Sequence, residues 1–310
     1  MRKGNEQWGL VFAGGGGKGA YEIGAWRAIR ELCREINIVS VAGTSVGALN
    51  AVLYAIGDYD LACKIWSEQV NSKVILANKS IGEMKRLIFN LIKDNAILFP
   101  MVKGKTNSSI SKLRHAICKE SVLPATLSLI KELLHEGIFS RDGLKDIIVH
   151  NQIMEKMNVG VMPCYAACYN LSAQKMEYHD LRNAKEDEFI DILLASSALP
   201  FIFPMQKIDG NYYMDGCVKD NVPFKKLYDE GIHKLIVIHL DCGESVIDNV
   251  TYKDATIVHL RPQKSLKGFK GTITFDPDVI NALMEQGYQE TVANLIELET
   301  GMPSYIVKEA

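Results

Sequence analysis

Unbroken apolar runs, not alternating ones, mark the strands of this chain. Trp8 to Ala13 and Ile36 to Ala42 are short runs closed by glycine, the pattern of strands buried on both faces. Between them Ala20 to Cys33 repeats its apolar positions at helical spacing, so the chain opens as strand, glycine loop, helix and strand. Val46 to Ile56 reads as a second helix, stopped by Gly57. Asp58 caps a third helix that runs to Val70 and carries Leu61, Ile65 and Trp66 in one stripe. From about residue 72 to 140 the pattern changes to amphipathic helices broken by loops. Ile81, Met84, Leu87, Ile88 and Leu91 form one stripe there, and Lys103 and Lys105 edge an apolar loop, Ile97 to Val102. This segment is expected to be a helical insertion, a candidate cap or lid. Beyond it, Gly160 to Tyr169 and Lys175 to Leu181 read as a hairpin. A helix (Asp187 to Leu194), a short strand (Tyr212 to Met214), a helix (Pro223 to Glu230) and an apolar strand (Leu235 to Asp241) follow. Strands alternating with helices predict a mainly parallel sheet covered on both faces.

With 310 residues, 47% of them hydrophobic, the chain can bury a full core, and no linker or repeat divides it. A single domain, 1–310, is expected. The formal charge of -2 supplies no field toward nucleic acid, so none is expected as a partner. Gly14 to Lys18 interrupt the early apolar segment, and no run of about 18 apolar residues exists anywhere. These features predict a cytoplasmic protein that meets lipid only peripherally, from the membrane surface. The seven cysteines are odd in number and lack redox or zinc spacing, so they read as reduced thiols.

Gly43-Thr44-Ser45-Val46-Gly47 is a G-x-S-x-G set where a buried strand turns into a helix. The flanking Gly43 and Gly47 permit a tight turn that lifts the serine hydroxyl above the sheet. The loop Gly14-Gly15-Gly16-Gly17-Lys18-Gly19 admits three readings. A nucleotide P-loop would need glycine at 12 and a hydroxyl residue at 19, where Phe12 and Gly19 stand. A dinucleotide fingerprint is satisfied by Gly14, Gly16 and Gly19, but the next strand lacks its terminal acidic residue. An oxyanion hole is the third reading, because side-chain-free residues let backbone N–H groups face a developing negative charge. Asp215, followed by Gly216, is the remaining polar candidate; alone the pair is an ordinary turn.

GGGGKGAYEIGAW, GTSVG, SSALPFIFP and YYMDGCVKDNVP, in this order, resemble the patatin-like phospholipase family across most of the chain. Phe275 to Tyr288 is similar to the C-terminal region of bacterial members, while the insertion is not covered. The resemblance implies a three-layer α/β/α fold and hydrolysis of phospholipid or neutral-lipid acyl esters at a membrane surface. It implies Ser45 as nucleophile, Asp215 as its dyad partner and Gly14, Gly15 and Gly16 as the oxyanion loop. Lys18 stands where many members have arginine, and Ala13 where Asp or Ser is frequent, so Lys18 is expected to act only as a point charge. No cofactor or metal is implied, and a homo-oligomer or a small-molecule regulator is left open. The competing reading is a Ser-Asp-His esterase or thioesterase, since His233, His239 and His259 follow Asp215; a Rossmann-like dinucleotide protein is the weaker competitor. For a dyad, a carboxylate with a pKa near 3.9 is a weak base, so burial beneath bound lipid is expected to strengthen it.

Overall fold

The computed structural model describes residues 6–70, 76–77, 135, 137, 139–157, 162–243 and 252–300. The insertion, with Ile97 to Val102, Lys103 and Lys105, lies almost wholly outside the described residues. At its borders, β3 (Leu76–Ala77) and β4 (Phe139–Ser140) form a small antiparallel pair.

The main sheet begins with β1 (Gln7–Phe12) and β2 (Asn37–Thr44), the two apolar runs, joined by α1 (Ala20–Leu32). Next come β5 (Cys164–Asn170), β6 (Lys175–Asp180), β7 (Gln206–Ile208), β8 (Asn211–Asp215), β9 (Lys234–Ile238) and β10 (Thr256–Leu260). Their order is β10-β9-β1-β2-β5-β8-β7, with β6 also pairing with β5. The five strands from β10 to β5 are parallel, and β6, β7 and β8 are antiparallel additions. The expected three-layer α/β/α architecture and mainly parallel sheet are present.

Side-chain alternation explains why the parallel strands read as unbroken apolar runs. On one face Leu10, Phe12, Val41, Ile236 and Ile238 join a core with the helices α1, α2 (Val46–Ile56) and α3 (Tyr59–Lys64). On the other, Val11, Ala42, Leu235 and Val237 pack with Phe224 and Leu227. Those two residues belong to α7 (Phe224–Asp229), after α4 (Asp142–His150), α5 (Ile153–Met157) and α6 (Glu186–Ser196). Both faces are covered, so neither tolerates polar positions.

Asp58 caps α3 by accepting from the Leu61 N–H at 2.9 Å, as its position predicts. Several elements go beyond the sequence reading. β7 and β10 are short edge strands with half-exposed positions, so they lack a continuous apolar run. After a short α8 (Gly268–Thr272), the 24-residue α9 (Pro277–Thr300) packs along α1. That contact is backbone to backbone: a Cβ on Gly24 would lie 1.8 Å from the Met284 carbonyl oxygen. Glycine allows this close approach, and Ile280, Leu283, Met284 and Leu295 of α9 join the core there.

Candidate active site

The strand β2 ends at Thr44 and α2 begins at Val46, so the whole reversal falls on Ser45. Its backbone sits at φ 58 and ψ −127, left-handed for a residue with a side chain. Such strain costs on the order of 1–3 kcal/mol and persists only where neighbours fix it. The Ser45 N–H donates to Ser196 Oγ at 2.9 Å, and that hydroxyl donates to the Ala167 carbonyl of β5 at 2.8 Å. The flanking glycines are dictated by crowding: a Cβ on Gly43 would stand 2.0 Å from the Gly47 carbonyl oxygen, and one on Gly47 2.5 Å from that of Phe12. Ser196, fully buried, was not singled out in the sequence because its partner is 151 residues away. Ser196→Ala should cost roughly 1–3 kcal/mol of unfolding free energy, read by chemical denaturation, because it strands a buried N–H.

Asp215 is the last residue of β8, opposite Cys168 of β5. Because β5 lies between β2 and β8, the sheet brings the end of β8 to the elbow. One Asp215 oxygen accepts from the Cys217 N–H at 2.8 Å, and Gly216 opens the short 3-10 turn that presents this donor. The Ser45 side chain stands beside the carboxylate and lowers its pKa. Asp215 is only 1% exposed. Burial pushes its pKa from 3.8 up to about 6, against the opposing pull of the Ser45 hydroxyl and the Cys217 donors. The protein thus buries this carboxylate without bound lipid. Only the ionised carboxylate can accept a proton, so hydrolysis should fall about tenfold per pH unit below about 6 and level off above about 7. A kcat/KM profile on a soluble ester checks this.

The glycine loop is clamped by Asn221. The Gly14 N–H donates to the Asn221 carbonyl at 3.1 Å, and Asn221 Nδ2 returns a bond to the Gly14 carbonyl at 3.1 Å. The Gly14 N–H and carbonyl are thus both engaged with Asn221. Gly16 lines the same cavity as Ser45. Lys18 belongs to the same loop. It is buried, its Nζ donates to the Leu240 carbonyl at 3.3 Å just beyond β9, and burial lowers its pKa. It ties the loop to the sheet. Behind the loop, Asn50 of α2 donates to the Gly19 carbonyl at 3.0 Å and to Glu22 Oε2 at 2.7 Å. Asn50 also accepts from Trp66 Nε1 at 2.8 Å, so one buried network links the elbow helix, the loop and the cavity wall. Burial holds the Glu22 carboxyl well above the usual carboxylate range.

The histidine-base reading finds no support in the geometry. His233 pairs with Asp254 at 3.1 Å and stacks on Tyr228. His239 Nε2 faces His259 Nδ1 at 3.0 Å, and burial lowers their pKa values to about 3 and about 4. Among the described residues no histidine bonds Ser45 or Asp215. The dinucleotide reading fails where the sequence already opposed it: the end of β2 carries the serine elbow.

Beside Ser45 lies a cavity of about 90 Å³, walled mainly by Leu49, Trp66, Ile147, Leu193, Leu199 and Phe203. Three of these come from the elbow helix, α4 and α6, and Leu199 and Phe203 from the SSALPFIFP block. Phe201 within that block has φ 68, a second strained position. A strained serine, a buried carboxylate and a mostly apolar chamber thus meet at one end of the sheet.

Comparison with curated protein sequences gave no match. Among solved structures the chain is similar to VipD from Legionella pneumophila, with TM-score 0.49 and 14% identity over 94% of this chain and 67% of that one. It is also similar to the type III effector ExoU, with TM-score 0.41 and 18% identity over 94% of this chain and 53% of that one. A further match is ExoU bound to SpcU from Pseudomonas aeruginosa, with TM-score 0.41 and 14% identity over 94% of this chain. The chain spans about half the length of ExoU, 53% and 52% in the two structures. The model of one family, patatin-like phospholipase, matches residues 10–228. That span holds the glycine loop, the elbow and the Asp-Gly turn, and by it this chain belongs to the patatin-like phospholipases, a family of lipid-ester hydrolases.

Proposed function

We propose that the chain hydrolyses the carboxylic esters of membrane lipids, as a phospholipase A or lysophospholipase, through a Ser45–Asp215 dyad. The observation that carries this reading is the strained, elbow-mounted Ser45 beside a carboxylate that is 1% exposed and has a pKa of about 6. Asp215 takes the Ser45 proton as the hydroxyl oxygen attacks the ester carbonyl carbon. The carbonyl oxygen gains the negative charge, and the N–H groups of Gly15 and Gly16 receive it. The tetrahedral intermediate collapses to an acyl-Ser45 ester and expels the alcohol, to which Asp215 returns the proton. Water, deprotonated by Asp215, then attacks the acyl-enzyme and releases a fatty acid. The apolar cavity shelters the acyl chain and keeps the local dielectric low, which strengthens the oxyanion contacts.

No described helix is long and apolar enough to cross a membrane, so the substrate is met at a lipid surface. The insertion would govern that approach: Leu98→Ser with Phe99→Ser should weaken vesicle binding more than hydrolysis of a soluble ester. The function is tested by fatty-acid release from phosphatidylcholine vesicles before and after fluorophosphonate treatment. Release that treatment stops is the expected result. Absence of both release and labelling would discard the reading.

A further inference from the structure

The cavity beside Ser45 is mostly apolar, and among its lining residues one carries a charge. Arg141 stands in its wall, at the residue preceding α4, and is only 8% exposed. Two of its nitrogens are used: Nη1 donates to the Leu194 carbonyl, and Nη2 to Gln206 Oε1 at 2.7 Å. Nε is buried with no partner. Both acceptors are neutral, and among the described residues no carboxylate forms an ion pair with Arg141. The two nearest acids act only through space: Asp191 is bonded by Gln206 Nε2 at 2.8 Å, and Asp142 by the Ser140 hydroxyl at 2.5 Å. Burial lowers the guanidinium pKa to about 10, so it stays charged at neutral pH.

An unpaired buried charge is costly, and a planar guanidinium with a spare N–H matches the oxygens of a phosphate or carboxylate. The start of α4, immediately after Arg141, adds the positive end of a helix dipole. An anion entering this cavity would supply the missing partner, where a neutral lipid would leave the charge bare. We propose that Arg141 is a specificity residue that reads an anionic oxygen group carried by the lipid in the Ser45 cavity. Such a group is either the phosphate of a phospholipid or the carboxylate of a released fatty acid. The proposal rests on the lipid-hydrolase reading only for the word substrate, because binding can be measured without turnover.

The experiment uses full-length Ser45→Ala protein with and without Arg141→Gln, and three monomeric ligands of one chain length: dodecyl phosphate, dodecanoate and dodecanol. Dissociation constants from calorimetry should favour an anionic ligand over dodecanol. Arg141→Gln should weaken that anion about 10- to 100-fold while leaving dodecanol unchanged. Loss confined to dodecyl phosphate assigns the site to a lipid headgroup, and loss confined to dodecanoate assigns it to the fatty acid. Equal weakening of all three ligands, or of none, overturns the proposal. Arg141→Lys, which keeps the charge, covers the case in which the glutamine variant does not fold; it should preserve the preference for an anion, and a Lys variant with no such preference also overturns the proposal. If Ser45 fails to label but the anion preference stands, the hydrolase reading falls and the anion site does not.

Discussion

Ser45→Ala abolishes fluorophosphonate labelling and lowers ester hydrolysis by at least about a thousandfold, the size of effect expected when a covalent nucleophile is lost. The reasoning is local. The elbow leaves one hydroxyl at the end of β2 that both stands beside a buried carboxylate and lines the cavity. Ser196 and Ser197 are the nearby alternatives, but each hydroxyl is committed to a carbonyl, Ser196 to Ala167 at 2.8 Å and Ser197 to Leu194 at 3.2 Å. Alanine keeps the Cβ at the strained φ and the backbone bond to Ser196, so the variant should fold. Labelling that persists in it would mean another serine carries the chemistry.

Asp215→Asn should lose hydrolysis by orders of magnitude and gain stability at the same time. The amide keeps the size of the side chain but cannot take a proton. A carboxyl whose pKa rises from 3.8 in the unfolded chain to about 6 in the fold costs roughly 3 kcal/mol at neutral pH. The sign follows from the direction. A raised folded-state pKa means that this group's favourable contribution is complete below about 3.8 and lost as pH rises through about 6. Removing the charge therefore stabilises the protein most above pH 7, by up to roughly 3 kcal/mol, and very little near pH 4. Denaturation midpoints at two pH values test this. Alanine at His233, His239 or His259 should leave hydrolysis nearly unchanged, because those rings are engaged with Asp254 or with each other. A folded but inactive histidine variant would restore the triad.

Four of the five parallel strands, β1, β2, β5 and β9, were legible because strands buried on both faces read as apolar runs, as Leu10, Val11 and Phe12 do. The elbow was legible because its chemistry is local: five consecutive residues carry the turn, the nucleophile and the glycines. Asp215 needed the resemblance, since an Asp-Gly pair is usually a turn and only the crossing of β5 brings it to Ser45. Asn221 was invisible for the same reason, because it clamps Gly14 from 207 positions away. The partner of Lys18 was not legible either, because its long stem carries the ammonium to the Leu240 carbonyl, 222 positions away. Arg141 carried no sequence signal, because a single arginine before a helix is ordinarily a solvated charge.

The dyad is tested most directly by the rate at which a fluorophosphonate adduct forms on the peptide containing Ser45, followed by mass spectrometry from pH 5 to 8 in the wild type and in Asp215→Asn. The account predicts an adduct on Ser45 whose rate is half-maximal near pH 6 in the wild type and falls by orders of magnitude in the variant. An adduct on a different serine, or one that forms on Ser45 equally fast without the Asp215 carboxylate, would contradict it.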